Sequence, residues 1–461
     1  MWCRVHNPRY GRDTVPVSVR NLIPPALWGG AVGTVLVTLL GGPMARPGRL
    51  GRTALALPEP SRQVNSDTSR SLQEPEAPEA SDFRALAGRK IFVVYNTARW
   101  MYRFRLPLMK ALQEQGCEVY GVSPWDRYAD SLVEEGISHL PIEMNRKGTN
   151  PLEDAAFALR MHRLLREHRP DLVLAFTVKP NIYCALAARP LGIPVVNTIP
   201  GLGSLFARKS IPTLVARGLY RLALSGSHAV FFQNPEDLEQ FVESRLVRPE
   251  TARMVPGSGV NTEFFSPRER ERGRDGDPFV FLFAGRLLWD KGISELVDAT
   301  RELKERGIPV ETRMLGVFEP EGNGAVSPEQ MEEWARDGVI DFLGEADEVV
   351  DFMRAADCVV LPSYYREGLP RTLLEAASLE KPVIAADVTG SRELVEHGRN
   401  GFMCRPRDPK DLADKMHEMI RAGEDERRRM GRAGRERVLR EFDEKVVVRR
   451  YLEVIAPALA G

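Results

Sequence analysis

Short apolar runs alternate with amphipathic stretches from residue 89 onward. In the first half of this region the apolar runs are residues 91–95, 117–123, 171–177, 194–198 and 228–233. Such runs, bounded by turn-forming residues, are typical of strands that are buried on both faces. Between them, residues 151–168 have apolar residues at helical spacing, which predicts an amphipathic helix. Its predicted apolar stripe consists of Ala156, Leu159, Leu164 and Leu165.

The same pattern restarts in the second half. The further predicted strands are residues 278–284, 310–315, 339–343, 358–362 and 382–385. Strands that alternate with helices form βαβ units around a parallel sheet. Residues 255–259 separate the two sets and are interpreted as a linker. We therefore predict an α/β protein with two doubly wound, Rossmann-like domains that face a cleft, at residues 89–257 and 258–440.

Residues 1–88 differ from the rest of the chain. Arginines flank an apolar, glycine-rich stretch at residues 26–40, which is shorter than the roughly 20 residues that span a bilayer. A tract rich in proline, glutamate and serine follows at residues 58–82, and this composition does not bury a core. Three interpretations stay open: a weak membrane anchor, a disordered extension, or a start codon set too far upstream.

Composition narrows the class of protein. The chain has 461 residues, of which 43% are hydrophobic and 28% charged, as in an ordinary soluble protein with two or three domains. Lys plus Arg and Asp plus Glu both number 64, so the net charge is zero, which argues against a general nucleic-acid binder. The five cysteines form no C-x-x-C pair, which disfavours a zinc site and favours a reducing, cytoplasmic compartment.

A doubly wound fold could bind a dinucleotide, but the fingerprint of that function is missing. The loop after the first predicted strand, residues 96–101, contains no glycine, so it lacks the G-x-G-x-x-G turn. No G-x-x-x-x-G-K-[ST] loop occurs either. Gly201-Leu202-Gly203 follows a strand but lacks a third glycine, and a flexible turn explains it. No nicotinamide cofactor is expected.

Two glutamates surround a glycine–proline loop after the predicted strand at residues 358–362. Glu367 lies in the loop, and Glu375 lies on the helix that follows. Gly368 permits a tight turn, and Pro370 suits the start of a helix. Ligands of open α/β sheets bind outside the carboxyl ends of the strands, and free N–H groups at a helix start bind anions. The loop is a candidate anion site, and the alternative is a surface loop with two solvated glutamates.

A second candidate element follows the first predicted strand of the second domain. Gly285 permits close approach of the backbone to a ligand, and Arg286 and Lys291 place two cations on the same side of the sheet. Two cations suit a diphosphate leaving group, whose developing charge they would stabilise without a metal. Taken alone, the pair is also compatible with an ordinary charged surface.

These segments resemble the retaining family-4 glycosyltransferases of the GT-B fold. The matches are Gly285-Arg286 with Lys291-Gly292, the E-x7-E element from Glu367 to Glu375, and residues 259–267, which are similar to the family's G-V-D-x-x-x-F-x-P segment. The resemblance covers roughly residues 89–455 and is more specific in the carboxy-terminal half.

The resemblance implies a role for each matching residue. Arg286 and Lys291 would hold the donor diphosphate, Glu367 would contact the hydroxyls of the donor sugar, and these three are the candidate catalytic residues. Glu375 would contact the nucleotide ribose. The other candidate donor-binding residues are Gly285, Gly368, Leu369, Pro370 and Thr372, with Gly316 and Leu343 near the base. The family also implies a metal-independent reaction without a cofactor, an acceptor-side first domain, and a last helix, residues 441–461, that crosses back to it.

The amino-terminal half resembles a narrower branch of the family. Residues 176–183, 200–203 and 230–237 are similar to segments of bacterial capsule and lipid-linked oligosaccharide hexosaminyltransferases. This resemblance implies a UDP-linked donor, often an N-acetylhexosamine, and a polyprenyl-diphosphate-linked or polysaccharide acceptor. It also implies a location in the cytoplasm, at the inner face of the plasma membrane.

Two features depart from the family pattern. Many members have a glycine pair in the first loop, where this chain has residues 96–100, and a histidine where this chain has Pro200 and Gly201. A histidine-assisted mechanism is therefore disfavoured, and the leaving diphosphate could accept the proton of the acceptor hydroxyl. Acceptor recognition is predicted to come from Arg103, Arg105, Lys179 or Asn181.

Residues 208–224 combine a helical stripe with positive charge. The apolar residues are Ile211, Leu214, Val215, Leu219 and Leu222, and the cations are Arg208, Lys209, Arg217 and Arg221. This combination is typical of a helix at the surface of an anionic membrane, and it predicts peripheral membrane contact. The alternative is a stripe that faces the core.

The main hypothesis is a retaining glycosyltransferase of cell-envelope glycan synthesis. One alternative is a GT-B-fold nucleotide-sugar epimerase, which would need acid/base groups on the sugar and no second substrate. The E-x7-E loop disfavours it. Another alternative is an inactive nucleotide-sugar-binding scaffold, which the intact set of Arg286, Lys291, Glu367 and Glu375 disfavours.

Overall fold

Two parallel sheets form the frame of the protein. The computed structural model describes residues 80–146, 150–201, 211–268, 277–319, 324–346, 348–365 and 368–460. Most of the predicted amino-terminal extension, residues 1–79, therefore lies outside the described residues. The first sheet consists of β1 (Lys90–Val94), β2 (Glu118–Ser123), β3 (Ser138–Pro141), β4 (Leu172–Phe176), β5 (Val195–Ile199), β6 (Ala229–Phe232) and β7 (Ala252–Met254). Its strand order is β3-β2-β1-β4-β5-β6-β7.

The second sheet repeats this arrangement. It consists of β8 (Phe279–Arg286), β9 (Val310–Val317), β10 (Asp341–Gly344), β11 (Cys358–Leu361), β12 (Val383–Ala386) and β13 (Gly401–Cys404), in the order β10-β9-β8-β11-β12-β13. Every pairing between these strands in both sheets is parallel. Counted from its own first strand, each sheet begins with the order 3-2-1-4-5-6 of a doubly wound Rossmann fold. The predicted fold class is confirmed.

Helices connect the strands as the sequence pattern predicts. They are α1 (Ala98–Glu114), α2 (Arg127–Glu134), α3 (Pro151–His168), α4 (Val178–Ala188), α5 (Ile211–Leu224), α6 (Pro235–Glu243), α7 (Ile293–Glu305), α8 (Pro328–Arg336), α9 (Val350–Ala355), α10 (Arg371–Ser378), α11 (Pro409–Arg421), α12 (Gly423–Arg437) and α13 (Glu444–Ala460). A short side chain caps the start of several of them; the Thr97 hydroxyl, for example, accepts from the Trp100 N–H at the start of α1.

The first sheet is covered on both faces. Along β1, Ile91 and Val93 pack into one core layer with α1 and α13, whereas Phe92 and Val94 pack into another with α3 and α4. Successive residues of a strand point to opposite faces, so a strand buried on both sides is apolar at every position. This explains why short continuous apolar runs identified the central strands.

The strands that the pattern missed lie at the edges of the sheets. β3 and β7 border the first sheet, and β13 borders the second. β3 is partly exposed along its length, and its sequence Ser-His-Leu-Pro gives no apolar run. β3 and β7 have partial solvent contact, so their composition resembles that of a loop, whereas β13 is mostly buried.

The predicted stripe of α3 is also wrong in part. The buried residues of this helix are Phe157, Met161 and Leu165, at a spacing of four residues, whereas Leu159 is 60% exposed. The wide apolar composition of the helix admits more than one stripe, and only the neighbouring elements select the buried one.

The last helix returns to the first domain. The Tyr451 side chain of α13 is buried, its ring centroid lies 4.6 Å from that of Phe231, and its hydroxyl is 2.8 Å from the Thr198 hydroxyl. Near the other end of α13, the Arg89 guanidinium donates to the Leu459 carbonyl at 2.9 Å. The segment Ala80–Leu86, a 3-10 helix, packs on the same helix. This segment, which precedes the predicted start of the first domain at residue 89, therefore packs with that domain.

Candidate active site at the carboxyl edges of the sheets

The two cations predicted to bind the donor lie at the carboxyl end of β8. Arg286 ends the strand; its side chain is partly exposed and lies 3.7 Å from the Glu319 carboxylate. Lys291 lies in a short 3-10 helix, is only 7% exposed, and has its amine 5.8 Å from the Tyr365 ring centroid. A lysine that is nearly buried in a loop at a strand end has little use as a solubilising surface charge.

Close packing holds the Lys291 loop against the neighbouring strand. Gly292 has a φ of 75°, and a Cβ at this position would lie 2.2 Å from the Pro362 carbonyl oxygen, just after β11. The Asp290 carbonyl accepts hydrogen bonds from the N–H groups of Tyr364 and Tyr365, at 3.0 and 3.1 Å. Only glycine fits this approach, so Lys291 is fixed beside the loop that follows β11.

The E-x7-E loop is described from Gly368 onward. Glu367, the predicted sugar-binding glutamate, and Arg366 lie outside the described residues. Pro370 immediately precedes α10, and the Thr372 hydroxyl donates to the Ala284 carbonyl at 3.0 Å. Because Ala284 precedes Gly285 and Arg286 in β8, this bond joins the start of α10 to the strand end that carries the cations. The structure thus brings the two predicted elements together.

The loop also contacts the first domain. A Cβ on Gly368 would lie 1.9 Å from the Pro200 carbonyl oxygen and 2.3 Å from Gln233 Oε1. Leu369 packs beside Gly257 of the linker segment. Glycine at position 368 is therefore required by the approach of the two domains, a reason that differs from the tight turn expected from the sequence.

Glu375 is mostly buried between arginines of both domains. Its carboxylate accepts from Arg371 Nε at 2.9 Å, and only 13% of its side chain is exposed. Burial raises the pKa of the Glu375 carboxyl, while Arg371 and Arg103 oppose the rise and Glu348 adds to it. The two arginines favour the ionised form, which is the form that accepts hydrogen bonds from a ribose.

Arg371 links the two domains at this point. Besides binding Glu375, it donates to the Arg103 carbonyl at 3.3 Å, and its guanidinium lies 5.0 Å from the Phe104 ring centroid. Sequence analysis did not single out Arg371. Its position four residues before Glu375 could have identified it, because this spacing places both residues on one face of α10.

The predicted acceptor residues occupy different environments. Arg105 is 2% exposed, and its guanidinium lies 4.2 Å from the Phe176 ring centroid and 5.9 Å from that of Tyr451. Asn181 is fully buried, and its amide donates to the Thr198 carbonyl at 2.7 Å.

These positions correct two of the four predictions. Arg105 and Asn181 belong to the interior of the first domain, because α13 covers Arg105 and a hydrogen-bond network around β5 holds Asn181. The Lys179 amine is 2.5 Å from the Asp154 carboxylate, and both side chains are mostly buried. Arg103 alone of the four lies against the second domain, next to Arg371.

The two residues predicted near the base lie in the second sheet. Gly316 of β9 is buried and pairs with Gly285 of β8, and Leu343 of β10 is partly buried against the core. Further contacts join the domains beside the site: Arg99 lies 3.4 Å from Glu345, and Glu236 lies 2.8 Å from Arg392. The carboxyl edges of the two sheets therefore face each other.

The described helices bear on the predicted membrane contact. None of the described helices is long and apolar enough to cross a bilayer. Arg208 and Lys209 lie outside the described residues, as do Leu202 and Gly203. Within α5, Tyr220, Ala223 and Leu224 are buried, whereas Leu214, Val215 and Leu222 are exposed.

Comparisons with known proteins agree with this architecture. Residues 266–437 match the family described as Glycosyl transferases group 1, and residues 90–234 match the family described as Glycosyl transferase 4-like. The chain is 26% identical to the Campylobacter jejuni N,N'-diacetylbacillosaminyl-diphospho-undecaprenol alpha-1,3-N-acetylgalactosaminyltransferase, over 77% of this chain and 95% of that protein.

Two further similarities point the same way. An Escherichia coli UDP-Gal:alpha-D-GlcNAc-diphosphoundecaprenol alpha-1,3-galactosyltransferase is 23% identical over 66% of this chain and 83% of its own length. The structure of Anabaena HepE in complex with UDP superposes with a TM-score of 0.66 at 19% identity, over 80% of this chain and all of that one, and shows the shared fold. The chain is a glycosyltransferase of the GT-B fold and belongs to family 4.

Proposed function

We propose that this glycosyltransferase is retaining and metal-independent, and that it moves a hexose or N-acetylhexosamine from a UDP-sugar to a polyprenyl-diphosphate-linked or polysaccharide acceptor. One observation carries the donor side: the hydrogen bond from Thr372 to Ala284, which unites the cations of β8 with the start of α10. Arg286, Lys291 and the free N–H groups of α10 would surround the diphosphate. Glu375, on the same helix, would accept hydrogen bonds from the ribose.

The chemistry follows from this placement. Charge develops on the diphosphate as the bond to the sugar breaks, and preorganised cations stabilise it without a metal. The same diphosphate can accept the proton of the attacking hydroxyl on the face that it leaves, which retains the anomeric configuration. Glu367, which adjoins Gly368, would hold the hydroxyls of the donor sugar.

The acceptor side is supported by the relatives and by α5. The two curated relatives are named for acceptors on diphospho-undecaprenol, a membrane lipid. On α5, Val215 and Leu222 are exposed seven residues apart, on one face of the helix, and Arg221 is exposed beside Leu222. An exposed apolar face with cations suits an anionic membrane surface, which would place the enzyme at the cytoplasmic face of the plasma membrane.

Nucleotide binding tests the donor assignment. Ligands that bind the native state raise the melting temperature by mass action. We expect UDP and UDP-sugars to raise it more than GDP or ADP, with the rise unchanged by EDTA. Loss of the rise in EDTA would contradict metal independence, and no rise with any nucleotide would favour an inactive scaffold.

Product analysis tests the reaction, and vesicles test the membrane contact. The anomeric configuration of the product, read by NMR, should equal that of the donor, and an inverted product would contradict the mechanism. Binding to vesicles with anionic lipid should weaken in Leu222→Ser, whereas Leu159→Ser, an equally exposed leucine on α3, serves as the control. Equal binding of both variants would contradict the role of α5.

A further inference from the structure

Three neutral side chains of the first domain each have a polar atom that is shielded from solvent yet has no hydrogen-bond partner within the described part of the chain. These atoms are Asn96 Oδ1, Thr177 Oγ1 and Gln233 Nε2. Buried polar atoms are nearly always paired in folded proteins, so each exception calls for a reason. Asn96 follows β1, Thr177 follows β4 and Gln233 follows β6. All three therefore lie at the carboxyl edge of the first sheet, where ligands of this fold bind.

The strand register places the three residues in a row. β1 and β4 are neighbours that pair Val94 with Ala175, so Asn96 and Thr177 are level. β4 pairs with β5, and β5 with β6, which brings Gln233 to the same edge. Neighbouring strands are about 4.8 Å apart, so the row from β1 to β6 extends over about 14 Å. A short saccharide can span this length.

Thr177 has a strained backbone that the fold does not explain. Its φ of 70° and ψ of 167° lie in a region that is almost confined to glycine. It occupies the position before α4 where a threonine hydroxyl ordinarily caps the helix, yet it makes no capping hydrogen bond. Strain of this kind persists where it serves function, and here it keeps the hydroxyl away from the helix end.

Gln233 lies against the donor loop. It is 6% exposed, and its Oε1 would be 2.3 Å from a Cβ on Gly368, the residue after Glu367. One end of the amide therefore contacts the second domain, and the other end, Nε2, is the unpaired one. The row thus begins at the junction where the donor sugar is proposed to lie.

We propose that Asn96, Thr177 and Gln233 form the subsite for the acceptor saccharide, with Gln233 nearest the reacting hydroxyl. The inference rests on the proposed function, because it assumes a sugar acceptor. Nε2 donates, Oδ1 accepts, and a hydroxyl does both. Sugar hydroxyls also donate and accept, so they match this neutral set. A diphosphate only accepts, and it would leave Asn96 Oδ1 unpaired.

Steady-state kinetics of the full chain test the subsite. The acceptor probe is N-acetylglucosamine joined through a diphosphate to an undecyl chain. Donor hydrolysis without acceptor is measured in parallel. We expect Gln233→Ala and Thr177→Gly to raise the acceptor KM roughly tenfold, a larger change than either variant causes in donor hydrolysis, and Thr177→Ser to keep the wild-type KM. Thr251→Val, a buried threonine at the opposite edge of the sheet, is the control.

Thr177→Gly also has a readout that needs no acceptor. Glycine adopts a positive φ without strain, so this variant should melt at a higher temperature than the wild type, although it transfers less well. A lower melting temperature would overturn the role assigned to the strain. If the wild type transfers sugar but the variants keep its acceptor KM, the subsite is wrong and the proposed function stands. If the wild type does not turn over the donor at all, the proposed function is wrong.

Discussion

The two domains share one strand order, but their carboxyl edges carry opposite kinds of chemistry. The edge of the second sheet holds charged groups: Arg286, Lys291 and the mostly buried Glu375. On the first domain, two cations near the edge are withdrawn, since Arg105 lies beneath aromatic rings and Lys179 is paired with Asp154. The unpaired polar atoms of Asn96, Thr177 and Gln233 at this edge belong to neutral side chains.

This difference matches the two halves of a transfer reaction. A diphosphate donor carries charge that increases as it leaves, so its site needs cations in a dry environment. A sugar acceptor carries hydroxyls and stays neutral, so its site needs uncharged donors and acceptors. The proposed donor site and the proposed acceptor subsite therefore differ in the side chains that two sheets of the same strand order carry at their strand ends.

The largest effect is expected at the charged edge. Lys291→Ala removes a nearly buried cation from the proposed diphosphate site and should lower kcat by about 100- to 1000-fold. Steady-state kinetics with a UDP-sugar measure the change. Lys410→Ala removes an exposed lysine of the same domain and should leave kcat unchanged. An equal loss of kcat in the two variants would contradict the role assigned to Lys291 at the charged edge.

An intermediate effect is expected where the domains meet. Arg371→Met removes the cation that opposes the raised pKa of Glu375, so this pKa should rise further, with Arg103 still lowering it and Glu348 still raising it. As the pH falls, the ionised form of Glu375 is then lost at a higher pH than in the wild type. We expect UDP affinity to fall roughly tenfold near neutral pH.

Binding curves for UDP from about pH 5 to about pH 8 measure this shift. The acid limb of the affinity should move to higher pH in Arg371→Met and should return toward the wild-type position in Arg371→Lys. If UDP binds more weakly but the acid limb of its affinity stays at the wild-type pH, Arg371 acts only as a structural link to Arg103 and Phe104.

The smallest effect is expected in the attachment of α13. Tyr451→Phe removes the hydrogen bond to the Thr198 hydroxyl and should cost about 1 kcal/mol of stability, a fall of about 2–4 °C in melting temperature. UDP affinity should not change, because the bond lies within the first domain. The double variant Tyr451→Phe with Thr198→Val should recover part of the loss, since it leaves neither partner unpaired. A strictly additive loss would contradict the pairing.

Much of the fold and part of the site were predictable from the sequence. The central strands were found because burial on both faces makes them apolar at every position, and the edge strands β3 and β7 were missed because they are partly exposed. The third missed strand, β13, is mostly buried, so exposure does not explain its case. The donor elements were found because charged residues around glycines form a specific pattern. Arg371 was missed, although its spacing from Glu375 was visible.

The neutral residues of the first domain show where sequence reasoning stops. Asn96, Thr177 and Gln233 are common residue types in loops, and nothing in their spacing distinguishes them. Only a full account of hydrogen bonds shows that their polar atoms are shielded and unpaired. Arg105 shows the reverse case, because a cation that looked available in the sequence is covered by a helix from the far end of the chain.

By itself, the sequence determined the class of fold and pointed to the charged elements of the proposed donor site, since hydrophobic periodicity and clustered charges are local properties of the chain. The tertiary structure alone decided which side chains are accessible and which are paired. Glu375 meets Arg103, Gly368 meets Gln233, and Tyr451 covers Arg105, each across a long separation in sequence. Burial and pairing depend on such long-range contacts, and residue types along the chain do not encode them locally.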